Sequence, residues 1–275
     1  MRAMARLGFS LKFFFCAVIL IPGRNFCASA QADTTVMISQ TKVYIVFPSD
    51  KYTDKNILVL PGWNFACEDV CLKSNFCSLA TNEGFVLVMP DMQKSVYASQ
   101  VYPETRPDWL KYHTRRWITD TLIPYFQQNF KIFLPNQKNY LLGISTGGRG
   151  VALLACYDST HLFRAGAALS GDFDQTLTPN DNLMKGFYGN YQQFPLRWKG
   201  NDNPARNAFL IRIPLYLAHG TQDNIVPYSQ SEVFYHELKK YSSLPHQLHL
   251  IAGAKHDYVF WASQYSQILL FFNQH

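Results

Sequence analysis

Short runs of consecutive apolar residues recur along the chain from about position 34, separated by longer stretches in which apolar residues return at helical spacing. The runs at 43–47, 57–60, 85–89, 140–144, 165–169, 215–218 and 248–251 predict strands, the first three each ended by Pro, Gly or Asp. Several are apolar at every position instead of alternating, as suits strands covered on both faces. The stretches 108–130, 146–157, 229–241 and 259–272 predict helices, with Pro124 expected to bend or interrupt the first. Strand and helix alternate, which implies βαβ units: an α/β fold with a mostly parallel central sheet and helices on both faces. Two stretches, 93–107 and 171–207, break the alternation. Rich in Tyr, Trp, Asn, Asp and Pro, they predict long loops or a partial cap over the C-terminal ends of the strands, where recognition is usually carried.

The first thirty residues follow another pattern. A basic start (Arg2, Arg6), an apolar stretch over 11–22 and Ala28-Ser29-Ala30 predict a secretory signal peptide at 1–30, which makes the protein exported, periplasmic or secreted. The apolar stretch is short for a membrane span, although Arg24 leaves an uncleaved anchor as the alternative. The leader carries four basic residues and no acid, so cleavage takes the chain from 25 basic against 19 acidic residues to 21 against 19, or +2. That balance offers nothing for nucleic acid to recognise, and no stable membrane span remains after cleavage. The rest, 31–275, suits a single catalytic domain. It keeps four cysteines, Cys67, Cys71, Cys77 and Cys156. Export permits a disulfide, and Cys71–Cys77 is the preferred bridge across a bend, since a straight helix would hold those Cα atoms about 9 Å apart. The rival, a metal site at Cys67, Cys71 and Cys77, fits no common zinc spacing. Cys156 reads as a buried apolar side chain.

Candidate chemistry centres on Gly143-Ile144-Ser145-Thr146-Gly147, where an apolar run ends in a serine with glycine two places before and after. This is the sequence form of a strand turning sharply into a helix with the serine at its tip. Serine is a weak nucleophile until a base takes its proton and an acid orients that base. Asp223 follows the run 215–218 and His256 follows 248–251, so nucleophile, acid and base occur in order, each just past a strand, at the sheet edge where ligands bind in such folds. Asp172, past the run 165–169, is the competing acid. His219 is the competing base, though its place on a strand end suits a structural hydrogen bond. The oxyanion of an acyl-transfer intermediate would take the backbone N–H of Thr146 and that of Trp63 in Pro61-Gly62-Trp63-Asn64, with Asn64 as the fallback. Trp63, Asn64, Tyr97 and Trp261 are the candidate substrate-binding residues. Tyr97, Tyr102, Trp109, Tyr188, Tyr191, Phe194 and Trp198 could stack on sugar or phenolic rings, or simply pack.

The motif through Gly150, Leu122-Ile123-Pro124-Tyr125, Ala168-Leu169-Ser170-Gly171, Gly220-Thr221-Gln222-Asp223, and His256 followed by Trp261 resemble the esterase D, S-formylglutathione hydrolase and feruloyl esterase branch of the α/β-hydrolases, over roughly 40–275. The resemblance implies the α/β-hydrolase fold, with Ser145 as nucleophile, His256 as base and Asp223 as orienting acid. Two departures stand out: Thr146 where methionine is frequent, and Pro61-Gly62 in place of His-Gly. Neither removes a backbone N–H. The expected function is an exported serine esterase that forms an acyl-enzyme on a small-molecule or carbohydrate-linked ester, with no metal and no organic cofactor. Acyl transfer to a sugar or lipid hydroxyl needs the same groups. A peptidase would more often carry an additional domain, and a catalytically silent binding protein would not need all three.

Overall fold

A computed structural model describes residues 33–49 and 53–275. The leader at 1–30, with Cys16 and Cys27, lies outside the described residues. In chain order the elements are β1 (Thr34–Ile38), β2 (Thr41–Val46), β3 (Lys55–Leu60), α1 (Asp69–Leu72), α2 (Phe76–Asn82), β4 (Phe85–Pro90), α3 (Arg115–Trp117), α4 (Ile123–Asn129), β5 (Lys138–Ile144) and α5 (Thr146–Cys156). They continue as β6 (Phe163–Leu169), α6 (Asn182–Tyr188), α7 (Pro195–Lys199), β7 (Leu215–Gly220), α8 (Ser229–Tyr241), β8 (Gln247–Ile251) and α9 (Tyr258–Gln274). The strands form one open sheet in the order β1-β2-β4-β3-β5-β6-β7-β8, parallel from β4 to β8 and antiparallel at β1, β2 and β4. With helices on both faces this is the α/β-hydrolase fold.

Burial explains why these runs are strands. Residues of β4 are all buried, as are those of β3 and β5 apart from the first, because a layer of helices covers each face. One core joins the sheet to α5 and α8 through Val151, Leu154, Phe234 and Leu238. The other joins it to α2 and α9 through Phe76, Ala80, Trp261 and Leu269. A third cluster, with Trp109, Met184, Tyr188 and Trp198, lies within the two long loops. The disulfide expected from the sequence is present: Cys71 and Cys77 bridge α1 to α2 with Cα atoms 5.2 Å apart. Cys67 and Cys156 are free and buried, and burial pushes both thiols up to about 12.

Two departures have physical causes. β1 was not predicted; it pairs with β2 through a hairpin whose turn residues, Ser39 and Gln40, both have positive φ without the usual glycine or asparagine signal. The helix expected at 108–130 begins only at Arg115 and passes through a π-helical segment, Ile118–Leu122, before α4. Pro124 has no N–H to give Asp120, so the turn ahead of it widens. Of the two readings of 171–207, the partial cap is the one found: the stretch holds α6 and α7.

Candidate active site

Ser145 sits between β5 and α5 with φ 57° and ψ −124°, a backbone conformation that side chains rarely adopt. The neighbouring backbone forces the flanking glycines. A Cβ on Gly143 would lie 2.1 Å from the carbonyl oxygen of Gly147, and one on Gly147 would lie 2.0 Å from that of Leu60. The strained turn is anchored by Ser145 N–H donating to Leu169 O at 2.8 Å across to β6.

Three side chains far apart in sequence converge here. Ser145 Oγ is 3.0 Å from His256 Nε2, and His256 Nδ1 is 2.6 Å from Asp223 Oδ2. Asp223 Oδ1 accepts the N–H groups of Ile225 and Val226 at 2.9 and 2.8 Å. Burial pushes the Asp223 carboxyl up, but hydrogen bonds from His219, His256 and Val226 outweigh it, so the group is held well below the usual carboxylate range. The imidazole of His256 is thus gripped at one nitrogen by an ionised carboxylate and offers the other to a hydroxyl. Such an arrangement can move the hydroxyl proton.

The rivals are placed elsewhere. His219 is fully buried on β7, with Nε2 at 2.9 Å from Val226 O and Nδ1 at 2.7 Å from Ser231 Oγ. Because a carbonyl only accepts, the proton sits on Nε2; that nitrogen also lies 3.3 Å from Asp223 Oδ2, which makes His219 a prop for the acid. Asp172 faces the same cavity as Ser145 but pairs with the buried Arg149 at 3.3 Å, and His256 bonds Asp223 instead. Burial pushes the Asp172 carboxyl up to about 6, with Arg149 opposing.

Pro61-Gly62-Trp63 runs against the serine: a Cβ on Gly62 would lie 3.2 Å from Ser145 Cβ. Among the described residues, the N–H groups of Trp63 and Thr146 make no hydrogen bond, whereas Asn64 N–H donates to Gln93 O at 2.9 Å and is not free for an oxyanion. Asn64 is also solvent-exposed and off the cavity wall. The cavity, about 280 Å³, is lined by Ser145, His256 and Thr146, by apolar Trp63, Phe65, Leu183, Met184, Ile225 and Val226, and by Asp172 and Asp181.

Two candidate substrate contacts are corrected. Tyr97 is fully buried, with its hydroxyl donating to Pro61 O at 2.8 Å, so it holds the loop beside Ser145 from behind. Trp261 is 1 % exposed; its Nε1 donates to Ser170 Oγ at 3.1 Å and its ring meets His256 edge-on at 5.2 Å. It packs against the His256 imidazole and does not line the cavity. The loop aromatics also pack: Tyr188 and Trp198 are fully buried, Trp109 sits edge-on under Trp63 at 4.7 Å, and Tyr191 leans on Trp198. Two residues not foreseen as organisers are Arg149, which donates to the Asp172, Asp202 and Val96 carbonyls and to Gln175, and Gln230, whose Oε1 accepts Phe173 and Asp174 N–H. Arg149 was visible as the arginine of the serine motif. Gln230 carried no signal, being one polar residue on an amphipathic helix.

A family model, the prolyl oligopeptidase family of S9 peptidases, matches residues 73–275, which include all three converging side chains. The chain belongs to the prolyl oligopeptidase family. That makes it a member of a serine hydrolase family within the α/β-hydrolases that the sequence resemblance named, and it does not choose between that resemblance's esterase branch and a peptidase. No curated protein matches. The fold resembles that of the fluorophosphonate-binding serine hydrolase FphF of Staphylococcus aureus (TM-score 0.69, 17 % identity, covering 87 % of this chain and 96 % of that one). It also resembles an S-formylglutathione hydrolase from Agrobacterium tumefaciens (0.69, 15 %, 88 % and 94 %). An acylaminoacyl peptidase aligns at TM-score 0.66 and 16 % identity, over 88 % of this chain and 41 % of that one.

Proposed function

We propose that this member of the prolyl oligopeptidase family is an exported serine hydrolase that cleaves carboxylic esters, with residues 31–275 as one catalytic domain freed by removal of the leader. The observation that carries the reading is the unbroken hydrogen-bond chain from Ser145 through His256 to Asp223 at the mouth of a cavity. Ser145 Oγ attacks the ester carbonyl carbon as its proton passes to His256 Nε2. The carbonyl π pair moves onto oxygen, which takes hydrogen bonds from the Thr146 and Trp63 N–H groups. The intermediate collapses, the C–O bond to the alcohol breaks, and His256 returns its proton to the leaving oxygen. Water, deprotonated by the same nitrogen, then releases the acid and Ser145. The cavity volume suits a small acyl group. The disulfide supports export, since such bonds persist in oxidising compartments.

Family membership supports a second reading, cleavage of a peptide amide by the same groups. A panel of short p-nitrophenyl esters against the matching aminoacyl p-nitroanilides separates the two: ester turnover with no measurable amide turnover supports the first. A fluorophosphonate probe tests both. It should label the wild type and not Ser145→Ala, and an unlabelled wild type overturns serine chemistry here. His256→Ala and Asp223→Asn should each lower ester turnover by on the order of 10³ or more. An exported protein whose first residue is not near Gln31 contradicts the leader.

A further inference from the structure

Away from Ser145, one arginine is buried without the partners its burial demands. Arg115 opens α3 and is only 9 % exposed. Its Nε is inaccessible and has no hydrogen-bond partner among the described residues. The carboxylate paired with it, Asp202, lies 3.9 Å from Nη2, an ion pair beyond hydrogen-bond length, and its oxygens accept the Ser99 N–H and Oγ–H at 2.8 and 3.1 Å. A buried guanidinium normally has its donors satisfied, since leaving them unpaired is costly.

What the guanidinium has is a platform and an opening. It stacks over the Tyr157 ring at 4.2 Å, so its donors point along the plane of the fork. It lines a cavity of about 580 Å³ where the two long loops meet, together with Arg116, Arg197, Ser99 and Asn201. No acidic residue lines this cavity, and it shares no lining residue with the cavity at Ser145, although Arg115 and Tyr157 also border another cavity, about 530 Å³, that holds Asp120 and Asp158. Arg116 is largely exposed, with Asp120 3.7 Å away, and Arg197 is braced by Glu104. Three arginines thus converge from two helices, one of them with unused donors. A planar fork matches a carboxylate or a phosphate through two parallel N–H···O bonds, a geometry a single ammonium does not offer.

We propose that the cavity bounded by Arg115, Arg116 and Arg197 is a second binding site, for a phosphate or carboxylate oxyanion held in the plane of the Arg115 guanidinium. The anion takes the Nη groups of Arg115, Nε being sealed from the cavity, and joins the 99–102 loop to α7. The site is separate from the catalytic cavity, so its occupant does not compete with an ester for Ser145.

The test is thermal unfolding of the full chain at low ionic strength with inorganic phosphate, with citrate, and with potassium chloride at matched ionic strength. Phosphate, citrate or both should stabilise the wild type saturably with a dissociation constant of about 1 mM or tighter, and chloride should not. Which anion does so distinguishes a phosphate ligand from a carboxylate one. Arg115→Gln should weaken the effect at least about tenfold. If that variant does not fold, Arg116→Gln/Arg197→Gln, altered only at the cavity's outer wall, should weaken it about threefold and reduce its salt dependence. No saturable response to either anion, equal stabilisation of wild type and variants, or competitive inhibition of ester turnover would each overturn the proposal.

Discussion

Single residues around Ser145 divide into those that touch a reacting group and those that hold another residue in place. Tyr97 shows the second role most sharply. Its hydroxyl is buried and spent on Pro61 O, two residues before Trp63, whose N–H is the proposed oxyanion donor. Tyr97→Phe removes that bond and leaves a buried carbonyl unpaired, at about 1–3 kcal/mol of stability. On the proposed mechanism the donor it steadies acts mainly in the transition state, so kcat should fall by roughly fivefold while KM changes little. A rise in KM at constant kcat would instead put the ring in contact with substrate. Ser145, Asp223 and His256 were legible in the sequence because their chemistry demands those residue types, in that order, just past strands. Tyr97 and Trp261 were misassigned because a loop aromatic looks alike whether it walls a pocket or backs it. Only the partners of the Tyr97 hydroxyl and the Trp261 indole N–H decide.

At the scale of elements, the parallel strands were legible for a simple reason: sandwiched between two helical layers, they must be apolar on both faces. Elements whose form depends on distant partners were not. The β1–β2 hairpin turns on two positive-φ residues that carry no turn signature, and α6 and α7 exist because aromatic side chains from both long loops bury one another. The β7–β8 pairing carries a pH dependence. His246, just before β8, is 5 % exposed; Nδ1 accepts Leu215 N–H at 3.2 Å, and Nε2 is buried with no partner among the described residues. Burial, with Lys239 nearby, pushes the imidazole down to about 4. The unfolded chain therefore takes up this proton near pH 6.5 and the folded chain only near 4, so stability is lost as pH falls through that window, by up to ~3 kcal/mol from this group. Asp172, raised in the fold, acts in the opposite direction between about 4 and 6. Urea unfolding at pH 7.5 and 4.5 should show a smaller acid loss in His246→Asn, whose side-chain oxygen can still accept Leu215 N–H. An equal loss in both proteins would place the acid sensitivity elsewhere.

For the molecule as a whole, the two cavities differ in the charged side chains that line them. The one at Ser145 is lined by Asp172 and Asp181, with His256 as its only basic group among the described residues; the one at Arg115 is lined by arginines. The acidic lining should select against anionic acyl groups. At pH 8 a p-nitrophenyl hemisuccinate should be turned over with kcat/KM lower than the butyrate ester by on the order of tenfold. The ratio should narrow as pH falls through 6 and Asp172 takes up its proton, and Asp172→Asn should narrow it at pH 8. Using the ratio cancels any loss of turnover common to both substrates. A ratio independent of pH and of Asp172 would mean that the acyl group does not meet this wall.

The Tyr97 ring also fills the space above Gly150 of α5, where an added Cβ would come within 2.7 Å of it. One side chain from the 93–107 stretch therefore rests on the helix behind the nucleophile and holds the loop beside it. For anyone recombining such enzymes, that makes this stretch a poor cassette: transplanted from a relative without the tyrosine, or onto a scaffold with a larger residue at the Gly150 position, a new loop would bring a new specificity to a machine out of alignment.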